Sequence, residues 1–153
     1  TLELASGITL AGDGQTDSAL SVEGATIAPG NSIGTLTVGD ASDIQAGSTL
    51  EIELDSGDSD TLIVNGDIDL SNLNLDLSGS NPGSGPFTLI EYTGELNGEF
   101  NDVSFGDTGF TADQLSLGSG NDSSVTLAIP EPASLALLGL GSLPMLARRK
   151  RSA

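Results

Sequence analysis

The sequence has no cysteine and no histidine, and its only cations, Arg148, Arg149, Lys150 and Arg151, stand side by side near the C-terminus. Each absence closes a chemistry. Without Cys or His there is no zinc finger, haem ligand, thiol nucleophile or Ser-His-Asp triad. Without a lysine before residue 150 there is no Schiff base and no phosphate-gripping loop lysine. All 22 Asp and Glu residues precede the basic cluster, and the formal net charge is −18. A surface of one negative sign repels phosphate backbones, which argues against nucleic acid as a partner. Lack of Cys is compatible with an oxidising compartment without requiring one.

High net charge alone points towards disorder. Against it stand short runs of alternating aliphatic and polar residues, such as Leu36-Thr37-Val38, Leu50-Glu51-Ile52-Glu53-Leu54 and Leu73-Asn74-Leu75-Asp76-Leu77. Alternation places the aliphatics on one face of a strand and the polar residues on the other. Turn clusters punctuate the runs: Gly12-Asp13-Gly14, Ala28-Pro29-Gly30-Asn31, Asp55-Ser56-Gly57-Asp58 and Gly79-Ser80-Asn81-Pro82-Gly83. No helical periodicity occurs before residue 133, so the fold class is all-β. A β-sandwich and a parallel β-solenoid both fit strands this short.

Three details favour the solenoid over the alternative sandwich. A Thr-Leu-x-aliphatic unit recurs at Thr1, Thr35, Thr49 and Thr61. The inward positions are almost all aliphatic, which suits stacked ladders. The five aromatics (Phe87, Tyr92, Phe100, Phe105, Phe110) gather in one stretch, where they would plug the end of a solenoid as terminal caps must. The expected division is solenoid coils over 1–86, cap strands of the same domain over 87–128, and a distinct segment over 129–153.

That last segment runs Ile129-Pro130-Glu131-Pro132, then an uncharged stretch from Ala133 to Ala147, then the four cations. As a helix, the uncharged stretch would be roughly 22 Å long at about 1.5 Å per residue, short of the roughly 30 Å bilayer core, and Pro144 disturbs its last turn. It reads as one short hydrophobic helix suited to transient membrane insertion. The basic cluster Arg148, Arg149, Lys150 and Arg151 acts as the stop-transfer signal and stays cytoplasmic, leaving residues 1 to about 132 outside. The chain begins at Thr1, without an initiator Met or an N-terminal signal peptide, and is read as the C-terminal part of a longer exported precursor.

Pro130-Glu131-Pro132-Ala133-Ser134, the Leu/Gly-rich stretch and the terminal basic cluster resemble the PEP-CTERM sorting signal of Gram-negative bacteria. The resemblance implies recognition of Pro130, Glu131 and Pro132 by exosortase, a membrane-embedded cysteine protease of transpeptidase-like logic. It also implies cleavage near that motif and delivery to the cell surface or an extracellular polysaccharide matrix. Pro144 is the departure from the pattern. The segments Gly24–Val38, Gly47–Leu54 and Ser59–Gly66 resemble the end of an autotransporter-type passenger with autotransporter-associated repeats, and Phe87-Thr88-Leu89-Ile90 with Gly98-Glu99-Phe100 resembles its closing region. This second resemblance, over about residues 20–105, implies a right-handed β-helix; the departure from the pattern is the finish, where the sorting tail is read in place of an outer-membrane β-barrel.

Candidate sites were weighed on their chemistry. Asp55, Asp58 and Asp60 offer oxygens to calcium, which takes six to eight, but position six of an EF-hand count is Asp60 rather than Gly. Turn hydrogen bonding accounts for them better, and for Asp13 and Asp17 as well. Glu51 and Glu53 lie on one strand face at roughly 7 Å, a separation seen in sugar-cleaving pairs, yet no aromatic is near them in sequence to raise a pKa. Gly12-Asp13-Gly14 precedes no strand–helix unit and is no nucleotide loop. Tyr92 is better an end-cap aromatic than a proton donor. The expectation is a non-catalytic exported structural or adhesive protein with no cofactor or metal. Its partners would be exosortase, transiently the inner membrane, and on its outer face an exopolysaccharide or other surface proteins. The alternative is the C-terminal stem and anchor of an exported polysaccharide-active enzyme whose catalytic part lies upstream.

Overall fold

In the computed structural model, which describes residues 1–83, 85–118 and 123–128, the alternating runs form strands that wind into a solenoid of about four turns. The first coil holds β1 (Leu2–Leu4), β2 (Thr9–Gly12) and β3 (Gly14–Gln15). The second holds β4 (Leu20–Glu23), β5 (Thr26–Pro29) and β6 (Thr35–Val38). The third holds β7 (Asp43–Gln45), β8 (Ser48–Asp55), the short return strand β9 (Asp58–Ser59) and β10 (Thr61–Val64). The fourth holds β11 (Ile68–Asp69), β12 (Leu73–Ser78) and β13 (Phe87–Tyr92). A partial fifth has β14 (Leu96–Asn97) and β15 (Asp102–Ser104).

Equivalent strands stack in parallel into three faces. Face A runs β1-β4-β7, with β11-β14 continuing it through the Ala41–Ile68 bridge. Face B runs β2-β5-β8-β12-β15, and face C β3-β6-β10-β13. Because side chains alternate along a strand, each face contributes every second residue to a common interior. The register makes those residues into ladders. On face B, Leu10, Ile27, Leu50, Leu75 and Val103 stand one above another. On face C, Leu36, Leu62 and Ile90 do the same beside Val38, Val64 and Tyr92. Leu50, Leu62, Leu75 and Val64 are at most 1% exposed.

The Thr-Leu-x-aliphatic units resolve differently from their spacing. Thr35 and Thr61 are stacked partners on face C, whereas Thr49 lies on face B. The 14- and 12-residue intervals therefore separate faces within a winding. One full winding on face B is 17 residues from Leu10 to Ile27, 23 to Leu50, 25 to Leu75 and 28 to Val103.

The growth is concentrated at the corner between faces B and C. There the first coil turns on Asp13 alone and the second on residues 30–34, while in the fourth the strands Leu73–Ser78 and Phe87–Tyr92 stand further apart in sequence. The third inserts a hairpin, with Leu54 opposite Ser59 and Asp55 opposite Asp58. Its two central residues, Ser56 and Gly57, have φ of 53° and 98°. Positive φ at both positions is what a two-residue hairpin requires to match strand twist.

At the far end the chain reverses. A 3₁₀ turn (Ala112–Gln114) leads into β16 (Leu115–Leu117), and β17 (Ser124–Leu127) pairs antiparallel with both β16 and β13. Phe87 and Phe110 meet edge to face with ring centroids 5.7 Å apart, and Phe100 and Phe105 pack half-buried on the same cluster. The aromatic end cap is thus present, with β13 serving both as the last face-C strand of the parallel stack and as the platform for the cap. Among the described residues no helix is long and apolar enough to cross a membrane. The expected hydrophobic helix over 133–147 lies outside the described residues.

Candidate functional site

A chain with this many carboxylates and no cation before Arg148 must satisfy its acids otherwise, and it does so with hydroxyl and backbone N–H donors at the corners. Where face C hands over to face A, the second, third and fourth windings carry Gly39-Asp40, Gly66-Asp67 and Gly94-Glu95. The Asp40 carboxylate accepts from the backbone N–H of Asp67 at 3.2 Å, and the Asp67 carboxylate accepts from that of Glu95 at 2.8 Å. A side chain on Gly66 would meet the Asp40 Cα at 2.9 Å, so the windings approach too closely there for any residue with a Cβ.

Asp40 also accepts from the Ser42 hydroxyl and N–H, and Asp69 from the Ser71 N–H at 2.8 Å. These Asp-x-Ser turns bond their own backbone two residues on. Donors from Ser42 and Ser71 hold Asp40 and Asp69 below the usual carboxylate range. On face A the Ser21 hydroxyl, donating at 2.6 Å, does the same for Asp43, with help from the Gln45 amide.

Asp60 behaves oppositely. It closes the β8–β9 hairpin and is only 4% exposed. One carboxylate oxygen accepts from the Gly34 N–H and the other from the Glu53 N–H, both at 2.8 Å. Burial nevertheless pushes its pKa up, outweighing those two bonds, and the negative charges of Glu53 and Asp13 add to the rise. Asp60→Ala is therefore expected to destabilise the fold by about 1–3 kcal/mol, since two backbone donors lose their acceptor. The variant should also lose a pH response. The folded chain takes up a proton on Asp60 before the unfolded chain does, so the wild type gains stability as pH falls from neutrality towards 3.8. Urea unfolding of both proteins at pH 7 and pH 4.5 checks this; a difference that does not widen at the lower pH counts against the assignment.

The residues singled out from sequence scatter rather than converge. Asp55 and Asp58 flank an exposed turn while Asp60 points inward, and among the described residues no three metal-capable side chains gather. Asp13 accepts from the Thr35 N–H at 2.9 Å, and Asp17 from the Gln15 amide at 3.0 Å. Glu51 and Glu53 stand exposed on the flat outside of face B, Glu51 beside Asp76 of the next winding. Tyr92 lies 7% exposed in the fourth-coil core, stacked on Val64. Among the described residues, two open recesses border the cap. One is lined by Ile63, Glu91, Tyr92, Thr93, Ser123 and Ser124, the other by Glu99, Phe100, Val103, Ala112, Leu115 and Leu117. Each holds one carboxylate, whereas sugar cleavage uses a pair. The inter-winding roles of Asp40 and Asp67 were missed from sequence. Their signal is the Gly-Asp/Glu pair, which follows each Thr-Leu-x-x unit of face C.

Fold and composition define an acidic β-solenoid with a closed C-terminal end, and the chain then runs directly into its tail. Residues 128–151 match the family model for the PEP-CTERM protein-sorting motif. Among curated proteins none matches the chain. The motif marks an exported protein that is sorted by exosortase, itself a membrane protein, and is anchored at the membrane before processing. The motif residues Pro130, Glu131 and Pro132 and the cluster Arg148 to Arg151 lie outside the described residues.

Proposed function

We propose that this protein is a non-catalytic structural or adhesive element of the surface or extracellular matrix of a Gram-negative bacterium. Exosortase cuts it near Pro130-Glu131-Pro132, after Arg148 to Arg151 have stopped its transfer with residues 1 to about 132 outside the cytoplasm. The observation that carries this reading is the direct junction of a solenoid to a sorting motif that begins at residue 128. Support comes also from the outer faces, where Thr9, Thr26, Thr49, Asn74 and Asp102 form a continuous polar ladder suited to hydrogen bonding with an extended polysaccharide or another surface protein.

Intact mass of the protein recovered from the envelope tests the reading. The expected species ends before Ala133 and lacks all four cations. Replacing Pro130, Glu131 and Pro132 together by alanine should leave a full-length form in the inner membrane, with the processed fraction down by about tenfold or more, the scale of losing a recognised contact. Recovery of the wild type from the cell surface with Arg148–Arg151 still attached would overturn the processing step.

A further inference from the structure

The last strand of the cap and the first residue of the sorting motif are separated by nothing. Val125 and Leu127 of β17 are fully buried. Their strand is hydrogen-bonded along both edges, to β13 on one side and β16 on the other. Ala128, where the matched motif begins, still donates its N–H to the Gln114 carbonyl at 3.0 Å. Ile129 alone stands between that bond and Pro130. The sorting motif therefore follows in sequence directly on a strand that is paired along both edges.

An enzyme that cuts a peptide must hold several residues on either side of the bond in extended form, commonly by pairing with their backbone as an added strand. The residues it would need on the N-terminal side are those of β17, whose backbone is already paired twice. We propose that β17 is a latch on processing: exosortase acts on the chain only while β17 is out of the cap, and docking of β17 closes the window. The inference rests on the processing reading above.

β17 is an addition to the stack rather than part of it. β17 is antiparallel on a parallel stack, its register with β13 slips between Thr88 and Ile90, and its outer partner β16 is three residues long. β13 keeps its parallel pairing to β10 whether or not β17 is docked. Chains cut in the open state then close their own end with β17, so release from the membrane and completion of the fold are coupled.

The test uses the full chain in cells that carry its exosortase, with the fraction lacking Arg148–Arg151 read by intact mass. Thr88 and Thr126 are direct partners across β13 and β17, and the chain has no cysteine of its own. Thr88→Cys with Thr126→Cys therefore gives a single disulfide that pins the latch. The pinned protein should be processed about tenfold or more slowly when oxidised, and normally under reductant. Inserting about eight Gly/Ser residues between Ala128 and Ile129, a flexible tether of roughly 15 Å, should restore processing of the pinned form. Processing of the pinned chain at the wild-type rate would overturn the latch. So would failure of the spacer to rescue it, because the block would then lie in export. If the wild type itself is never cut, the processing reading falls and the latch falls with it.

Discussion

Leu50→Ala is expected to cost about 3–5 kcal/mol, the upper range for truncating a buried leucine. Leu50 is 0% exposed, and it is the central rung of the five-residue ladder, with Ile27 below and Leu75 above. A solenoid holds each winding only through its neighbours, so a cavity at that level cannot be bridged from elsewhere. Hydrogen exchange should show the second and third coils losing protection together. Truncating the half-buried end rungs Leu10 or Val103 removes less contact and should cost about 1 kcal/mol. Urea unfolding of the three variants decides the point: equal losses at the centre and the ends would mean that the ladder is not the cooperative unit.

Salt should have the next largest effect. The solenoid carries no internal counter-charge, and close carboxylate pairs such as Glu51 beside Asp76 repel by up to about 1 kcal/mol each in water. Screening within about 10 Å at 0.1 M salt weakens every such pair at once. The melting temperature is expected to rise by about 5 °C or more between low salt and 0.5 M, equivalent to about 1 kcal/mol or more. Millimolar calcium and magnesium should act alike, since no ligand cluster forms among the described residues; a shift with calcium alone would reveal a site. Mild acid should act in the same direction as salt. Asp60, with its raised pKa, gains stability on the way down. The trend reverses below 3.8, where Asp40, Asp43 and Asp69, whose pKa values the fold lowers, give up the stability that their hydrogen bonds supply. A melt unchanged by salt would show that the corner donors, rather than solvent ions, already compensate the charge.

Strand content was legible because alternation encodes it directly: Leu50–Leu54 and Leu73–Leu77 read as strands and pair as Leu50 with Leu75 and Ile52 with Leu77. The parallel stack was legible for a related reason, since only narrow ladders use Leu, Ile and Val so uniformly. The length of a winding was hidden. Its variation sits in the corner that turns on Asp13 in one coil and separates Leu73–Ser78 from Phe87–Tyr92 in another, and a period that drifts from 17 to 28 leaves no fixed repeat to find. The antiparallel reversal was hidden too, because Ser124–Leu127 alternates like any other strand and direction leaves no trace in alternation. The sorting tail stood out because it depends on residue identity in a short linear order. The corner carboxylates did not, because an Asp that binds a backbone N–H of the next winding looks in sequence like any solvated turn.

Three of those corner bonds share a direction, whereas Asp60 reaches back from the third winding to Gly34 of the second. The carboxylate of Asp13 reaches forward to Thr35, that of Asp40 to Asp67 and that of Asp67 to Glu95, each from an earlier winding to a later one. Thr35, Asp67 and Glu95 each bring a backbone donor to a carboxylate of the winding before, so at these corners a winding joining the stack finds its acceptor already in place.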